Sequence, residues 1–95
     1  MPYRLVYHHA VVEEDFPDIP ANIGVRIAHA IETRLTTHPE QYGAPLQGTL
    51  KGYWKLRVGD YRVVYRVVGE EVRILAIRHR KEVYRDAESR SPRPA

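Results

Sequence analysis

From Trp54 to Val68 apolar and polar side chains alternate on either side of a Gly-Asp pair, a period of two that predicts a β-hairpin with unlike faces. Gly59-Asp60 suits a two-residue loop, because glycine accepts the positive φ that the favoured hairpin turns need at their first central position. Val58 then opposes Tyr61. Counting outward, Trp54, Leu56, Val58, Tyr61, Val63, Tyr65 and Val67 share a packing face, and Tyr53, Lys55, Arg57, Arg62, Val64 and Arg66 share the other. Before the hairpin, Tyr3, Leu5 and Tyr7 alternate with Arg4, Val6 and His8 and predict a short first strand. A brief helix is expected from Ala10 to Phe16, ended by Pro17. Ile23, Ile27, Ile31 and Leu35 recur every four residues with Ala30 beside them, the apolar stripe of a second helix that His38-Pro39 stops.

The segment "EQYGAPLQGTLKG" is punctuated by glycine and proline, with Leu46 and Leu50 as its expected anchors. After "GEE" the chain returns through Val72 to Arg78, and the unalternating Ile74-Leu75-Ala76-Ile77 implies a strand covered on both faces. The order β-α-α-β-β-β defines an α+β domain: a small antiparallel sheet with two N-terminal helices packed on its apolar face and the basic face turned away from them. Residues 1–88 form this single domain; 89–95, within "ESRSPRPA", have the composition of a disordered tail.

Charge changes the picture. The chain of 95 residues carries a net +3, yet residues 1–50 hold three basic side chains (Arg4, Arg26, Arg34) against six acidic ones, and residues 51–95 hold twelve against six. A sheet face gathering like charges is either an ordinary solvated surface or the footprint of a polyanion, of which nucleic acid is the commonest. There is no cysteine, which fits a reducing cytoplasm and excludes thiolate metal sites and cysteine nucleophiles. No segment has the apolar length of a signal peptide core or a membrane span, so a cytoplasmic protein with no membrane partner is expected. His8, His9 and Glu13 do not make a metal site, since adjacent histidines at a strand end point in different directions; no metal or cofactor is expected. Trp54 belongs to the core, and Glu13, Glu14 and Asp15 are read as a solvated helix face.

The order of elements, the core "PLQGTLKGYWKLRVGDYRVVYRV" and the closing "IRHRKEVYR" closely resemble the RelE/ParE superfamily of toxins from type II toxin–antitoxin pairs, over nearly the whole chain from Tyr3 to about Arg85. The resemblance implies a small antiparallel sheet with helices on one side and a dedicated antitoxin partner, operator DNA being met only through that antitoxin. It also implies one of two activities. RelE-like members cut mRNA in the ribosomal A site, against 16S rRNA; ParE-like members poison DNA gyrase and are not nucleases.

Metal-independent RNA cleavage needs a base for the ribose 2′-OH, cations for the extra charge on the phosphate, and a proton donor for the departing 5′ oxygen. The resemblance assigns these roles to Lys55, Arg62, Arg80 and Tyr84, with Arg62 and Arg80 holding phosphate oxygens through forked hydrogen bonds and Tyr84 stacking on a base or donating a proton. Lys51, Tyr53, Arg66, Arg78 and Lys81 are the expected accompanying RNA contacts, and Arg57 is either a further one or part of a surface salt bridge. Tyr53 stands where RelE has its first lysine, and either Lys51 or Tyr53 itself takes over from it. His79 is a further candidate acid or base. Its access to the basic face depends on the "GEE" turn: a three-residue loop pairing Val68 with Val72 puts Arg80 on the face of Arg62, whereas a two-residue loop of Gly69 and Glu70 brings His79 there. The expected activity is therefore a ribosome-dependent mRNA endoribonuclease that inhibits translation. The alternative is a ParE-like gyrase inhibitor without nuclease activity, and a third reading is a decayed toxin that keeps only antitoxin and operator binding.

Overall fold

The computed structural model describes residues 2–91. Strand β1 (Arg4–Tyr7) leads into a π-helical stretch, Val11–Asp15, and a 3₁₀ turn, Phe16–Asp18. Pro17 therefore sits inside a helical turn instead of ending the first helix, near the start of that turn where a missing N–H costs nothing. Helix α1 (Ala21–Ala30) continues through Ile31–Leu35, and a short α2 (Pro39–Tyr42) starts at Pro39. Then come β2 (Ala44–Pro45), a 3₁₀ turn at Gly48–Leu50, β3 (Trp54–Val58), β4 (Tyr61–Val68), β5 (Glu71–His79) and a terminal helix α3 (Val83–Arg90). The five strands lie in the order β1-β5-β4-β3-β2.

The hairpin has the expected register, with Val58 opposite Tyr61 and Trp54 opposite Tyr65, and Gly59 adopts φ +60° in the turn. Its apolar side, Leu56, Val63 and Tyr65, packs with Ile27, Ala30, Ile31 and Leu35 of the α1 stretch, so the helical stripe meets the strand alternation in one core. Burying each Leu or Ile of this set contributes about 1.5–3 kcal/mol. The Tyr65 hydroxyl reaches through this layer and donates to the Pro39 carbonyl oxygen. That hydroxyl sits where a side chain at residue 43 would start: a Cβ built on Gly43 would lie 1.8 Å from it.

Three features depart from the sequence reading. First, β1 pairs with β5 in parallel, Arg4 opposite Glu71 and Tyr7 opposite Ile74, so the sheet is not wholly antiparallel. The helices between β1 and β2 carry the chain across the sheet face, a crossover that permits the parallel pairing. Second, the basic face is not left open along its whole length. Helix α3 lies across it, and Val83 and Ala87 pack with Leu50, Val64, Leu75 and Ala76 in a second small core. Ser89 and Arg90, assigned above to a tail, belong to this helix; residues 92–95 lie outside the described residues.

Third, Asp15 is fully buried, not part of a solvated face like its exposed neighbours Glu13 and Glu14. Strand β1 stops opposite Ile74, leaving the outer edge of β5 unpaired beyond that point. Asp15 fills the gap: its Oδ2 accepts the Ile77 N–H at 2.8 Å. Arg90 reaches from α3 and grips both oxygens of the same carboxylate at 2.7 and 2.9 Å. A buried charge is tolerated because it is paired and hydrogen-bonded on every side. Among the described residues no helix is long and apolar enough to cross a membrane.

Candidate active site

Strands β3, β4 and β5 deliver the cations in rows. Arg57 opposes Arg62, and Arg62 opposes Arg78 on the next strand. Lys55 opposes Val64, which makes it the diagonal neighbour of Arg62 on the same face, about 7–8 Å away between backbones. Arg62 folds back over its own turn, its Nη1 donating to the Gly59 and Tyr61 carbonyl oxygens at 3.0 and 2.9 Å, and its other N–H groups make no hydrogen bond among the described residues. Lys51, Lys55, Arg57, Arg80, Lys81 and Arg85 form no ion pair among the described residues. Tyr84, in the first turn of α3, is half-buried against the small core together with Tyr53 and Leu46. Arg66 lies over the Tyr53 ring, 5.8 Å from its centroid, in a cation–π contact.

Which of Arg80 and His79 joins this face is decided by a bulge. The β4–β5 loop is the two-residue form, with Val68 opposite Glu71, which by simple alternation would bring His79 beside Arg62. The register shifts between Val64 and Tyr65, however, because Leu75 is an extra residue on β5: Tyr65 opposes Ile74 and Val64 opposes Ala76. From there on His79 opposes Tyr61, and their rings meet edge to face at 5.8 Å on the helix-packed side. His79 is thereby separated from Lys55 and Arg62, a correction to its candidacy. The Arg80 N–H donates to the Asp60 carbonyl oxygen at 2.9 Å, carrying the register on so that Arg80 falls on the side of Arg62.

Arg78 is also corrected. Although it opposes Arg62, its side chain is only 18% exposed and lies among three carboxylates: Nε is 2.9 Å from Asp15 and 3.0 Å from Asp86, and Nη1 is 2.8 Å from Asp18. The hydrogen bond it donates to Asp18, with the charges of Asp15 and Asp86, raises its pKa further. Arg78 thus holds the first helical stretch and α3 to the sheet and is not free to contact RNA. Sequence reasoning missed Asp15 and Arg90. The i, i+4 spacings of Val83 with Ala87 and Asp86 with Arg90 were the available signals of helix α3.

The arrangement is a single small α+β domain with an uncapped cationic patch at one end of a sheet and a tyrosine at its rim. Residues 5–84 match the family model described as "ParE toxin of type II toxin-antitoxin system, parDE". The chain is 29% identical to toxin RelG of Mycobacterium tuberculosis over 87 residues, covering 90% of this chain and 99% of the relative. It is 32% identical to toxin RelE of the same organism over 84 residues, 83% of this chain and 87% of the relative. Among solved structures, a chain of the toxin–antitoxin complex RelBE2 from M. tuberculosis superposes with a TM-score of 0.78 at 28% identity, covering 84% of this chain and all of the other. The chain belongs to the RelE/ParE toxin superfamily: it is a toxin of a type II toxin–antitoxin system.

Proposed function

We propose that this toxin is a RelE-like, metal-independent endoribonuclease that cuts mRNA in the ribosomal A site. The observation that carries the reading is the shared face of Lys55 and Arg62, diagonal neighbours in the β3–β4 register, with Tyr84 at the edge of the same surface. A gyrase-binding surface has no need of that set. In this reading Lys55 Nζ receives the 2′-OH proton as the 2′ oxygen attacks phosphorus. Arg62 and Arg80 hold the non-bridging oxygens as charge builds on them, and Tyr84 delivers a proton to the departing 5′ oxygen or orients the phosphate. The products are a 2′,3′-cyclic phosphate and a 5′ hydroxyl. Lys51, Tyr53, Arg57, Arg66 and Lys81 line the path of the RNA on either side.

The solved relative is a complex with its antitoxin, and we assign this chain the same kind of partner, an acidic, partly helical segment that masks the cationic face. Operator DNA is then bound through that antitoxin, and the ribosomal target places the toxin's action in the cytoplasm. The matching family model is described by its ParE members, which favours gyrase as the second reading. Cleavage of message on programmed ribosomes, with free RNA as control and gyrase supercoiling in parallel, separates the two. Cleavage confined to ribosome-bound message, with supercoiling untouched and growth restored by the co-expressed antitoxin, is the expected result. Intact message with inhibited supercoiling overturns the reading and makes the cationic face a docking surface.

A further inference from the structure

Beyond the Lys55–Arg62 patch, the same sheet face ends in a pocket of about 370 Å³, in which Tyr53 and Arg66 meet side chains that no role above has used. Its floor and walls are Val6, Tyr53, Arg66, Arg73, Leu75 and Arg90, with the His8 ring at one side. The register builds it. Val6 opposes Arg73, Arg73 opposes Arg66, and Arg66 lies beside Tyr53, a row running across β1, β5 and β4 to the residue just before β3, at the C-terminal end of α3. The apolar floor is Leu75, with Val6 beside it, and the rim is cationic. Of its guanidinium groups, Arg90 is committed to Asp15 and exposed Arg73 shares Glu71 with Arg4; Arg66 is exposed and has no ion pair among the described residues.

We propose that this pocket binds one nucleotide of the single-stranded RNA that flanks the reacting phosphate, its base against Leu75 and the Tyr53–Arg66 pair and its phosphate on Arg66 and Arg73. This rests on the RNA-cleavage reading above. A base needs an apolar slot with a planar wall, a phosphate needs an uncommitted guanidinium, and the pocket offers both within the volume range of small-ligand sites. An acidic peptide would use the cations but leave the apolar slot and the aromatic wall without a role. Position agrees as well: Tyr53 and Lys55 are two residues apart on one strand face, about 7 Å along the chain, comparable to one backbone step of an extended RNA strand. A nucleotide seated here therefore adjoins the phosphate held at Lys55 and Arg62, and the pocket sets a sequence preference next to the cleavage point.

The test uses the whole chain and a short 2′-O-methyl RNA, which cannot be cut, in equilibrium binding without ribosomes. Val6→Trp fills the slot from an exposed edge position, and Arg66→Gln removes the uncommitted charge while keeping the length of the side chain. Each should weaken binding about tenfold, the loss typical of one stacked base, with circular dichroism and melting unchanged. Arg66→Gln should also reduce the salt dependence by the equivalent of one phosphate contact. If the parent chain does not bind the RNA, if both folded variants bind it as the parent does, or if the variants weaken only the antitoxin, the pocket is not a nucleotide site. A chain that spares message on the ribosome yet holds RNA through Val6 and Arg66 overturns the cleavage reading alone. Normal cleavage with pocket variants that bind like the parent overturns the pocket alone.

Discussion

Replacing Arg90 by Ala tests whether the end of α3 is structural. Arg90 donates two hydrogen bonds to the fully buried carboxylate of Asp15 and a third, at 3.2 Å, to the carbonyl oxygen of Leu75. Its side chain is 10% exposed, so the ion pair is screened little by water. Removing one partner of a buried pair costs about 3–5 kcal/mol, because the other charge is left uncompensated. Asp15 would still accept from the Ile77 amide and face Arg78, which puts the expected loss near the lower end, about 3 kcal/mol. For a domain of this size each kcal/mol shifts the melting midpoint by about 4–8 °C, so the midpoint should fall by about 12–24 °C. Thermal melts followed by circular dichroism supply the measurement, with the exposed Arg85→Ala on the same helix as control, expected within about 0.5 kcal/mol of the parent. A chain truncated after Glu88 should behave like Arg90→Ala. Asp15→Asn, which keeps an acceptor for Ile77 while stripping the charge, should lose stability comparably. The bulge at Leu75 loses a partner for its carbonyl in Arg90→Ala, so amide protection at Leu75 to Ile77 should drop as well. A midpoint for Arg90→Ala no lower than that of Arg85→Ala would refute the buried-pair argument.

The remaining predictions concern packing, chemistry and pH. Gly43→Ala sets a methyl group against the Tyr65 hydroxyl and, at 3.1 Å, against the Lys55 carbonyl oxygen; overpacking of this kind costs about 1–3 kcal/mol, read in denaturant melts, and an unchanged midpoint would show that Tyr65 simply swings away. Tyr84→Phe keeps the stacking surface and removes the hydroxyl, so cleavage on the ribosome should slow by about 10²-fold or more, the scale of a lost acid–base group, while RNA binding survives. Equal loss of binding and cleavage would assign Tyr84 to stacking alone. His8 accepts the Ala10 N–H on its Nδ1 at 3.1 Å and stacks on His9, and burial, with His9 and Arg90 nearby, lowers its pKa below the ordinary histidine value. The unfolded chain therefore binds the proton more readily, so the stability linked to His8 is present above the ordinary histidine range and is lost as pH falls from about 6.5 toward the depressed value. The drop in melting midpoint between neutral and mildly acidic pH should be smaller in His8→Gln than in the parent, and identical profiles would remove His8 as the titrating group.

What the sequence determined by itself was local and periodic. Gly59-Asp60 between two alternating runs set the β3–β4 register, and with it the shared face of Lys55 and Arg62, because a period of two leaves each strand one way to bury its apolar side. The four-residue spacing from Ile23 to Leu35 likewise defined the core-facing stripe of the helix. The bulge was not legible. Ile74, Leu75, Ala76 and Ile77 are all apolar, so either register of β5 buries hydrophobic surface on both faces, and nothing local distinguishes Arg80 from His79. The choice falls to partners far along the chain: α3 covers Leu75 and Ala76, and Arg90 binds the Leu75 carbonyl. Asp15 belongs to the same class of fact. On its own helix it reads as one more solvated acid beside Glu13 and Glu14, and only the unpaired edge of β5 and the arrival of Arg90 from the other end of the chain give a buried carboxylate enough partners to leave water.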